Sequence, residues 1–342
     1  MKTSKLTPAV AVLVGLGAAL AGAGPAQAAP GFAFDQRISG PDRFATAVAA
    51  SKLLSPVDGS ATDVVVVNGY ATVDGLTASY LAGLRSAPVL YTDTRAVPAV
   101  TTAEIDRLGV EHVWIVGGTD RVPAAQQQAW EAAGLEVTRL AGADRYETAA
   151  LVAQVDDEHA PEQVFIASGT ATADALAAGP VAWARNHPIL LTAADSVPAP
   201  TAAALRELGT ANRVVLGSPA SVSESTYTAL GGTQRIGGAD RQATAAAIAQ
   251  DAIATENFDP QSVALTGGTD ATAADALAAA PVAGSQGVPL LFTGFDGGLG
   301  AGTTAYLTAQ KANYTRSGNG WVFGGEPSVR QATADAATAA VQ

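Results

Sequence analysis

Arginine and aspartate recur at matching positions of this chain, in an arrangement that could bind anionic groups. The segments RISGPDRFATA (37–47), RLAGADRYETA (139–149) and RIGGADRQATA (235–245) share Arg, Gly, Asp, Arg, Thr and Ala at six of eleven places. A guanidinium group is a planar fork of donors that suits bidentate binding of phosphate or carboxylate. The candidate ligand-binding residues are therefore Arg37, Arg43, Arg139, Arg145, Arg235 and Arg241.

These arginines have two interpretations. Each Asp-Arg pair stands at the start of a predicted helix, where the helix dipole disfavours a cation unless it pairs with a carboxylate or faces an anion. Contact with a ligand and an internal salt bridge both remain open for Arg43, Arg145 and Arg241. The same alternatives apply to the arginines at the ends of short predicted strands, Arg37, Arg139 and Arg235.

Aspartates precede helices at two places in each repeat. Asp42, Asp144 and Asp240 directly precede the repeated arginine, where a carboxylate can accept backbone N–H bonds as an N-cap. Further along, a second set precedes a leucine near the start of another helix, and we predict that its members are structural helix caps as well: Asp74, Asp174 and Asp275. In the third copy the turn before this aspartate is two residues longer, which ties the carboxylate to the helix rather than to a fixed ligand position.

Further blocks share the same period and order. Each repeat has a β-like run (64–67 in the first copy), a Pro-led apolar block such as PILLTA from Pro188, and a final strand with a glycine turn such as VWIVGG from Val113. The Arg-x-x-Gly-x-Asp-Arg blocks begin 102 and then 96 residues apart, a length that suits small domains rather than a solenoid. We predict repeats at 29–137, 138–234 and 235–342.

Strands alternate with helical segments in the first repeat. The pattern predicts strands at 64–67, 88–91, 113–116 and 136–140, and helices at 74–84, 98–108 and 122–133. Such alternation is typical of an α/β fold, with doubly wound, Rossmann- or toprim-like parallel sheets. Ligands of open parallel sheets bind beyond the carboxyl ends of the strands. In this chain those ends carry Gly69, Gly117, Gly169, Gly217, Gly268 and Gly324.

The N-terminus and the composition limit the classes of function. Lys2 and Lys5 precede an uncharged stretch that ends in Ala26-Gln27-Ala28, so residues 1–28 are predicted to be a secretory signal peptide. The net charge of −12 disfavours nucleic acid and anionic membranes as partners. The chain has no cysteine, and the sequence contains no catalytic or nucleotide-binding motif. We expect no cofactor, no bound metal and no catalytic residues.

The ordered blocks resemble the cell wall-binding repeat 2 family of Gram-positive surface proteins. The resemblance rests on the repeated Arg-x-x-Gly-x-Asp-Arg block, on Asp-Ala-Leu at 174–176 and 275–277, and on Pro-Ile-Leu-Leu at 188–191. It implies three modules packed about a pseudo-threefold axis, with grooves that hold an anionic cell-wall glycopolymer, in a secreted, non-catalytic surface protein. The Arg and Ala bias fits a GC-rich, actinobacterial genome.

The sequence is also compatible with two alternatives to a binding module. Triple repeats of this kind often accompany a catalytic domain, which would make the protein an amidase-like enzyme of wall turnover. The same modules could also make lateral contacts in a self-assembling surface layer. Repetition favours the binding module, because a catalytic site needs unlike residues that converge once, whereas a polymer presents the same unit many times.

Overall fold

The computed structural model describes residues 31–156 and 160–342, and the predicted signal peptide lies outside this part of the chain. Twelve strands form three parallel sheets of four strands in the described residues. The strands are β1 (Phe34–Ile38), β2 (Asp63–Asn68), β3 (Val89–Thr92), β4 (His112–Val116), β5 (Glu136–Leu140), β6 (Gln163–Ser168), β7 (Ile189–Thr192), β8 (Asn212–Leu216), β9 (Gln234–Ile236), β10 (Val263–Thr266), β11 (Leu290–Phe292) and β12 (Gly320–Phe323).

Helices connect successive strands. The α-helices are α1 (Arg43–Leu54), α2 (Ala78–Leu84), α3 (Ala99–Leu108), α4 (Ala124–Ala132), α5 (Arg145–Ala153), α6 (Thr172–Ala177), α7 (Gly179–Arg185), α8 (Ala199–Leu208), α9 (Glu224–Ala229), α10 (Arg241–Thr255), α11 (Ala273–Ser285), α12 (Ala301–Gln310) and α13 (Gln331–Val341). Short 3₁₀ helices lie at Asp74–Thr77, Asp270–Thr272 and Lys311–Asn313. The predicted α/β class with three doubly wound parallel modules is confirmed.

The first sheet shows why the sequence adopts this fold. Its strand order is β3-β2-β4-β5, and all neighbours are parallel. Val64, Val65, Val66 and Val67 of β2 are all fully buried, as expected for a central strand covered on both faces. The second and third sheets have the corresponding orders, β7-β6-β8-β9 and β11-β10-β12-β1.

The N-terminal strand belongs to the last sheet. β1 pairs in parallel with β12, with Arg37 opposite Val322 and Ile38 opposite Phe323. Similarly, the strand that opens the second sequence repeat, β5, completes the first sheet, and β9 completes the second. Each sheet is therefore offset from the sequence repeat by one strand, and the predicted limits at 137 and 234 fall inside β5 and β9.

Helices from different repeats pack directly against one another. α7 contacts both α2 and α11, and α11 also contacts α2. Small residues allow this close approach: Gly83 of α2 lies against the Trp183 backbone, and Gly284 of α11 lies against Pro180 and Trp183. Mutual contact of these helices is what a packing about a common axis requires. The pseudo-threefold relation itself remains a prediction.

No helix within 31–156 or 160–342 is long and apolar enough to cross a membrane.

Candidate functional site

Three corresponding pockets open at the carboxyl ends of the three sheets. In the first sheet the chain leaves β2 towards one side and β4 towards the other, so the turns after these strands diverge and leave a crevice. The turn after β5 forms the third wall of the crevice. Corresponding turns enclose a pocket in each of the other two sheets.

Each pocket combines an aspartate from one repeat with the arginine of an Asp-Arg motif from another repeat. The first pocket contains Asp74, Arg121 and Arg145, and its volume is about 410 Å³. The second pocket contains Asp174, Ser221 and Arg241, with a volume of about 280 Å³. The third pocket contains Asp275, Ser328 and Arg43, with a volume of about 270 Å³, and it joins residues from both ends of the described chain.

The repeated motif builds one wall of each pocket. Asp42 is the N-cap of α1 and accepts a bond of 2.8 Å from the Ala45 amide. The Gly40 amide donates to the Thr46 hydroxyl at 3.1 Å, and this bond closes the loop over the helix N-terminus. The second and third copies repeat both bonds, with Asp144 and Asp240 as N-caps of α5 and α10. The repeated Gly, Asp and Thr thus have a local structural role.

Arg43, Arg145 and Arg241 line the pockets and also form hydrogen bonds within their own repeats. Their guanidinium groups donate to the carbonyls of Gly69, Gly169 and Gly268, at 2.6, 2.5 and 2.8 Å. These glycines follow β2, β6 and β10, and each lies in the same repeat as the arginine that donates to it. Arg241 additionally forms an ion pair of 2.9 Å with the exposed Asp270 carboxylate. The structure therefore gives these arginines an internal partner and a position in the pocket wall.

The other predicted arginines lie behind the glycine turns. Arg37 donates to the Gly324 carbonyl at 2.8 Å, Arg139 to Gly117 at 2.9 Å and Arg235 to Gly217 at 3.1 Å. None of the three lines one of the pockets formed by the described residues. Their side chains stabilise the glycine turns after β12, β4 and β8, which lie beside the pockets. Direct contact with a ligand stays a prediction for them.

The prediction that Asp74, Asp174 and Asp275 cap helices is wrong. The N-cap positions are Val73, Ala171 and Thr272, and the aspartates lie inside the first helical turn. Their carboxylates instead approach the glycine turn after the neighbouring strand: Gly117, Gly217 and Gly324.

These glycines have positive φ angles of 120°, 94° and 107°. A side chain at Gly217 or Gly324 would also collide with the pocket carboxylate, so glycine is required there for space as well as for conformation.

Burial raises the pKa of all three pocket aspartates above the usual value of 3.8. Neighbouring groups oppose this increase in part. The charge of Arg121 does so for the pKa of Asp74, and the hydroxyl groups of Ser221 and Ser328 do so for the pKa of Asp174 and Asp275. Asp174 is 5% exposed, and Arg241 also favours its charged form. The pockets thus offer carboxyl acceptors beside guanidinium donors, an arrangement suited to binding a polar ligand.

Replacement of Asp174 by Asn is expected to leave the protein at least as stable as wild type at neutral pH. Because the pKa of Asp174 is raised in the folded state, its contribution to stability is greatest below 3.8 and is lost as the pH rises through the folded pKa. Asn cannot ionise, yet its amide oxygen still accepts the hydroxyl bonds. Denaturant unfolding at several pH values should show a difference that shrinks on acidification.

The Asp106→Asn variant on α3 is the matched control, because it makes the same substitution at an exposed site outside the pockets. A large loss of stability in Asp174→Asn at neutral pH would show that the folded protein requires the charged carboxylate.

Three further side chains distinguish the pockets. Arg121 occupies the position of Ser221 and Ser328, is half exposed, and forms an ion pair of 3.3 Å with Asp120. Alignment of the three glycine turns in the sequence could have revealed this difference. Tyr70 lines the first pocket and Phe295 the second. Nothing in the sequence marked either aromatic residue, because Tyr70 and Phe295 follow different strands and do not correspond in the repeat.

Within the described residues, no group of three or more His, Asp or Glu side chains is placed to hold a metal ion.

Comparison with known families identifies the repeats. A family model described as cell wall binding domain 2 matches residues 37–127, 139–227 and 235–334. The matched segments begin at Arg37, Arg139 and Arg235, where the repeated Arg-x-x-Gly-x-Asp-Arg blocks begin. Two curated relatives are from Bacillus subtilis: N-acetylmuramoyl-L-alanine amidase LytC, 33% identical over 63% of this chain, and Amidase enhancer, 28% identical over 82% of it.

Solved structures of similar fold come from Clostridium difficile. Cwp8 and Cwp6 each superpose on 90% of this chain with a TM-score of 0.76, at 26% and 27% sequence identity. This chain spans 42% and 37% of the two Bacillus relatives, and 51% and 48% of the Cwp8 and Cwp6 chains.

Proposed function

Because the chain belongs to the cell wall binding domain 2 family, we propose that it attaches non-covalently to an anionic wall glycopolymer through the first, second and third pockets, without catalysing a reaction. The supporting observation is that one set of groups recurs in all three pockets. Each has a half-buried or buried aspartate, a guanidinium and a glycine turn at the carboxyl end of a sheet. A polymer that repeats one unit can occupy several such pockets, and linked weak contacts gain affinity through effective concentration.

The negative net charge of −12 is compatible with an anionic ligand because the repeated pocket carboxylates either cap a helix or are largely buried. Asp42, Asp144 and Asp240 accept backbone N–H bonds at the positive ends of helices. Burial favours the neutral form of Asp74, Asp174 and Asp275. The guanidinium groups of Arg43, Arg145 and Arg241 then remain to contact phosphate or carboxylate groups of the polymer.

Family membership and the resemblance to Cwp8 and Cwp6 indicate a location at the cell surface or wall. Secretion by means of residues 1–28 extends this proposal. Since the amidase relative matches in its wall-binding region, the similarity supports wall attachment rather than amidase activity.

Zymography on peptidoglycan with purified protein is expected to show no clearing band, and a band from protein free of other autolysins would overturn the non-catalytic part of the proposal.

Sedimentation with purified cell walls tests the proposed attachment. The protein is expected to pellet with intact walls and to stay in the supernatant after the anionic polymers have been stripped chemically. Raised salt should weaken pelleting, because partly exposed charge contacts are screened over about 8–10 Å. Undiminished binding to stripped walls would identify peptidoglycan itself as the ligand and contradict the proposal.

A further inference from the structure

Two large aromatic side chains are exposed at the pockets instead of being buried. Tyr70 is 62% exposed and lines the first pocket, and Phe295 is 65% exposed and lines the second. The core of this protein buries most of its other aromatic rings, including Tyr91, Phe165, Phe292 and Phe323. An aromatic ring left in water at the wall of a polar pocket forgoes the stabilisation that burial would give, which indicates a binding role.

The Tyr70 ring is held from one side. The Arg43 guanidinium carbon lies 4.3 Å from the ring centroid, and the Phe44 ring packs against Tyr70 edge to face at 5.7 Å. Arg43 and Phe44 are the first residues of α1, so the ring is fixed to a rigid element. The remainder of the ring faces the first pocket, where Asp74 and Arg145 also lie.

Phe295 has a corresponding support although it follows a different strand. The Arg241 guanidinium carbon lies 4.3 Å from its ring centroid, and Arg241 itself is held by the Gly268 carbonyl and by Asp270. Phe295 shares the second pocket with the carboxyl groups of Asp174 and Asp240. The same combination, an arginine-backed ring beside carboxyl groups, therefore arises twice from residues that are not equivalent in the repeat.

Such a combination matches the two-sided chemistry of a sugar ring. A pyranose presents C–H groups on a face that packs on an aromatic ring, whose face carries partial negative charge. Its hydroxyl groups, at the edge, donate to carboxylates and accept from guanidinium groups. We infer that Tyr70 and Phe295 are stacking platforms for sugar rings of the wall glycopolymer, an inference that rests on the proposed function.

The third pocket has a different character. Its lining includes Pro41, Pro327 and Arg43 but no aromatic side chain among the described residues. The three pockets therefore divide into two that stack sugar rings on an aromatic side chain and one whose lining has no such ring. When a glycopolymer binds across the three pockets, its sugar rings stack on Tyr70 in the first pocket and on Phe295 in the second.

Substitutions that keep size but remove the flat ring test this inference. The variants are Tyr70→Leu, Phe295→Leu and the double variant, with Tyr70→Phe and Phe295→Tyr as conservative partners. The probe is the anionic polysaccharide released from purified Gram-positive walls by mild acid, with affinity measured by calorimetry and folding by thermal melts. Loss of an anchoring aromatic is expected to weaken binding about tenfold at each platform.

The conservative variants should bind as wild type does, and so should Val57→Ala, which alters a side chain that is 65% exposed outside the pockets. The loss in the leucine variants should persist at raised salt, because stacking carries no net charge. Unchanged affinity in the folded double leucine variant would overturn the inference. Failure of the wild-type protein to bind the polysaccharide would instead contradict the proposed function on which the inference rests.

Discussion

Simultaneous replacement of Arg43, Arg145 and Arg241 by Gln is expected to abolish sedimentation with cell walls, whereas each single replacement weakens it only modestly. Each charge-assisted contact contributes about 1–3 kcal/mol, and the loss of several linked contacts compounds the effect. The same arginines donate to Gly69, Gly169 and Gly268 within their own repeats, so a lower melting temperature is expected as well. Sedimentation must therefore be measured well below the transition.

A charge-matched triple variant serves as the control. Arg95, Arg206 and Arg316 are exposed and lie outside the three pockets, so their joint replacement by Gln changes the net charge equally. This control should pellet with walls as wild type does. Intact binding by the folded Arg43/Arg145/Arg241 variant would assign these side chains to hydrogen bonding within each repeat alone and remove them from the binding site.

Replacement of Phe34 by Ala is expected to destabilise the protein by about 3–5 kcal/mol, as for other large-to-small changes in a core. Phe34 is 3% exposed in β1 and packs edge to face on Phe32 at 5.4 Å. Because β1 pairs with β12, hydrogen exchange should accelerate in β12, nearly 300 residues away in sequence, more than in β4 of the first sheet. Denaturant unfolding and exchange mass spectrometry measure the two effects.

The same substitution at an exposed site provides the comparison. Phe295→Ala removes a ring that is 65% exposed and should change the free energy of unfolding by no more than about 1 kcal/mol, the value of its exposed contact with Arg241. An equally small effect of Phe34→Ala, with no faster exchange in β12, would contradict the pairing of the N-terminal strand with the third sheet.

Local sequence patterns predicted the elements of the first repeat closely. The run 64–67 lies within β2, and the predicted helix at 98–108 corresponds to α3, Ala99–Leu108. Hydrophobic runs and proline positions are local signals, so they indicate where an element begins and ends. The pairing of β1 with β12 is not local: the spacing of the repeats is the same whether each opening strand joins its own sheet or the preceding one.

The residues of the site could likewise be predicted where a local or repeated sequence signal marks them, but not where distant turns come together. Repetition identified Arg43, Arg145 and Arg241, which do line pockets, because a repeated motif places its residues equivalently. The preference of aspartate for helix N-termini led to the wrong prediction that Asp74 is a helix cap. Its carboxylate instead approaches a turn more than forty residues further along the chain. Tyr70 and Phe295 could not be predicted, since exposure of an aromatic ring depends on how neighbouring turns pack.

The most direct measurement is a crystal structure of the protein soaked with a short fragment of the released wall polysaccharide. Electron density for the fragment is expected in the pockets of Asp74, Asp174 and Asp275, with anionic groups near Arg43, Arg145 or Arg241. Density bound elsewhere on the surface, with these three pockets empty at saturating fragment concentration, would contradict binding of the polymer through the pockets.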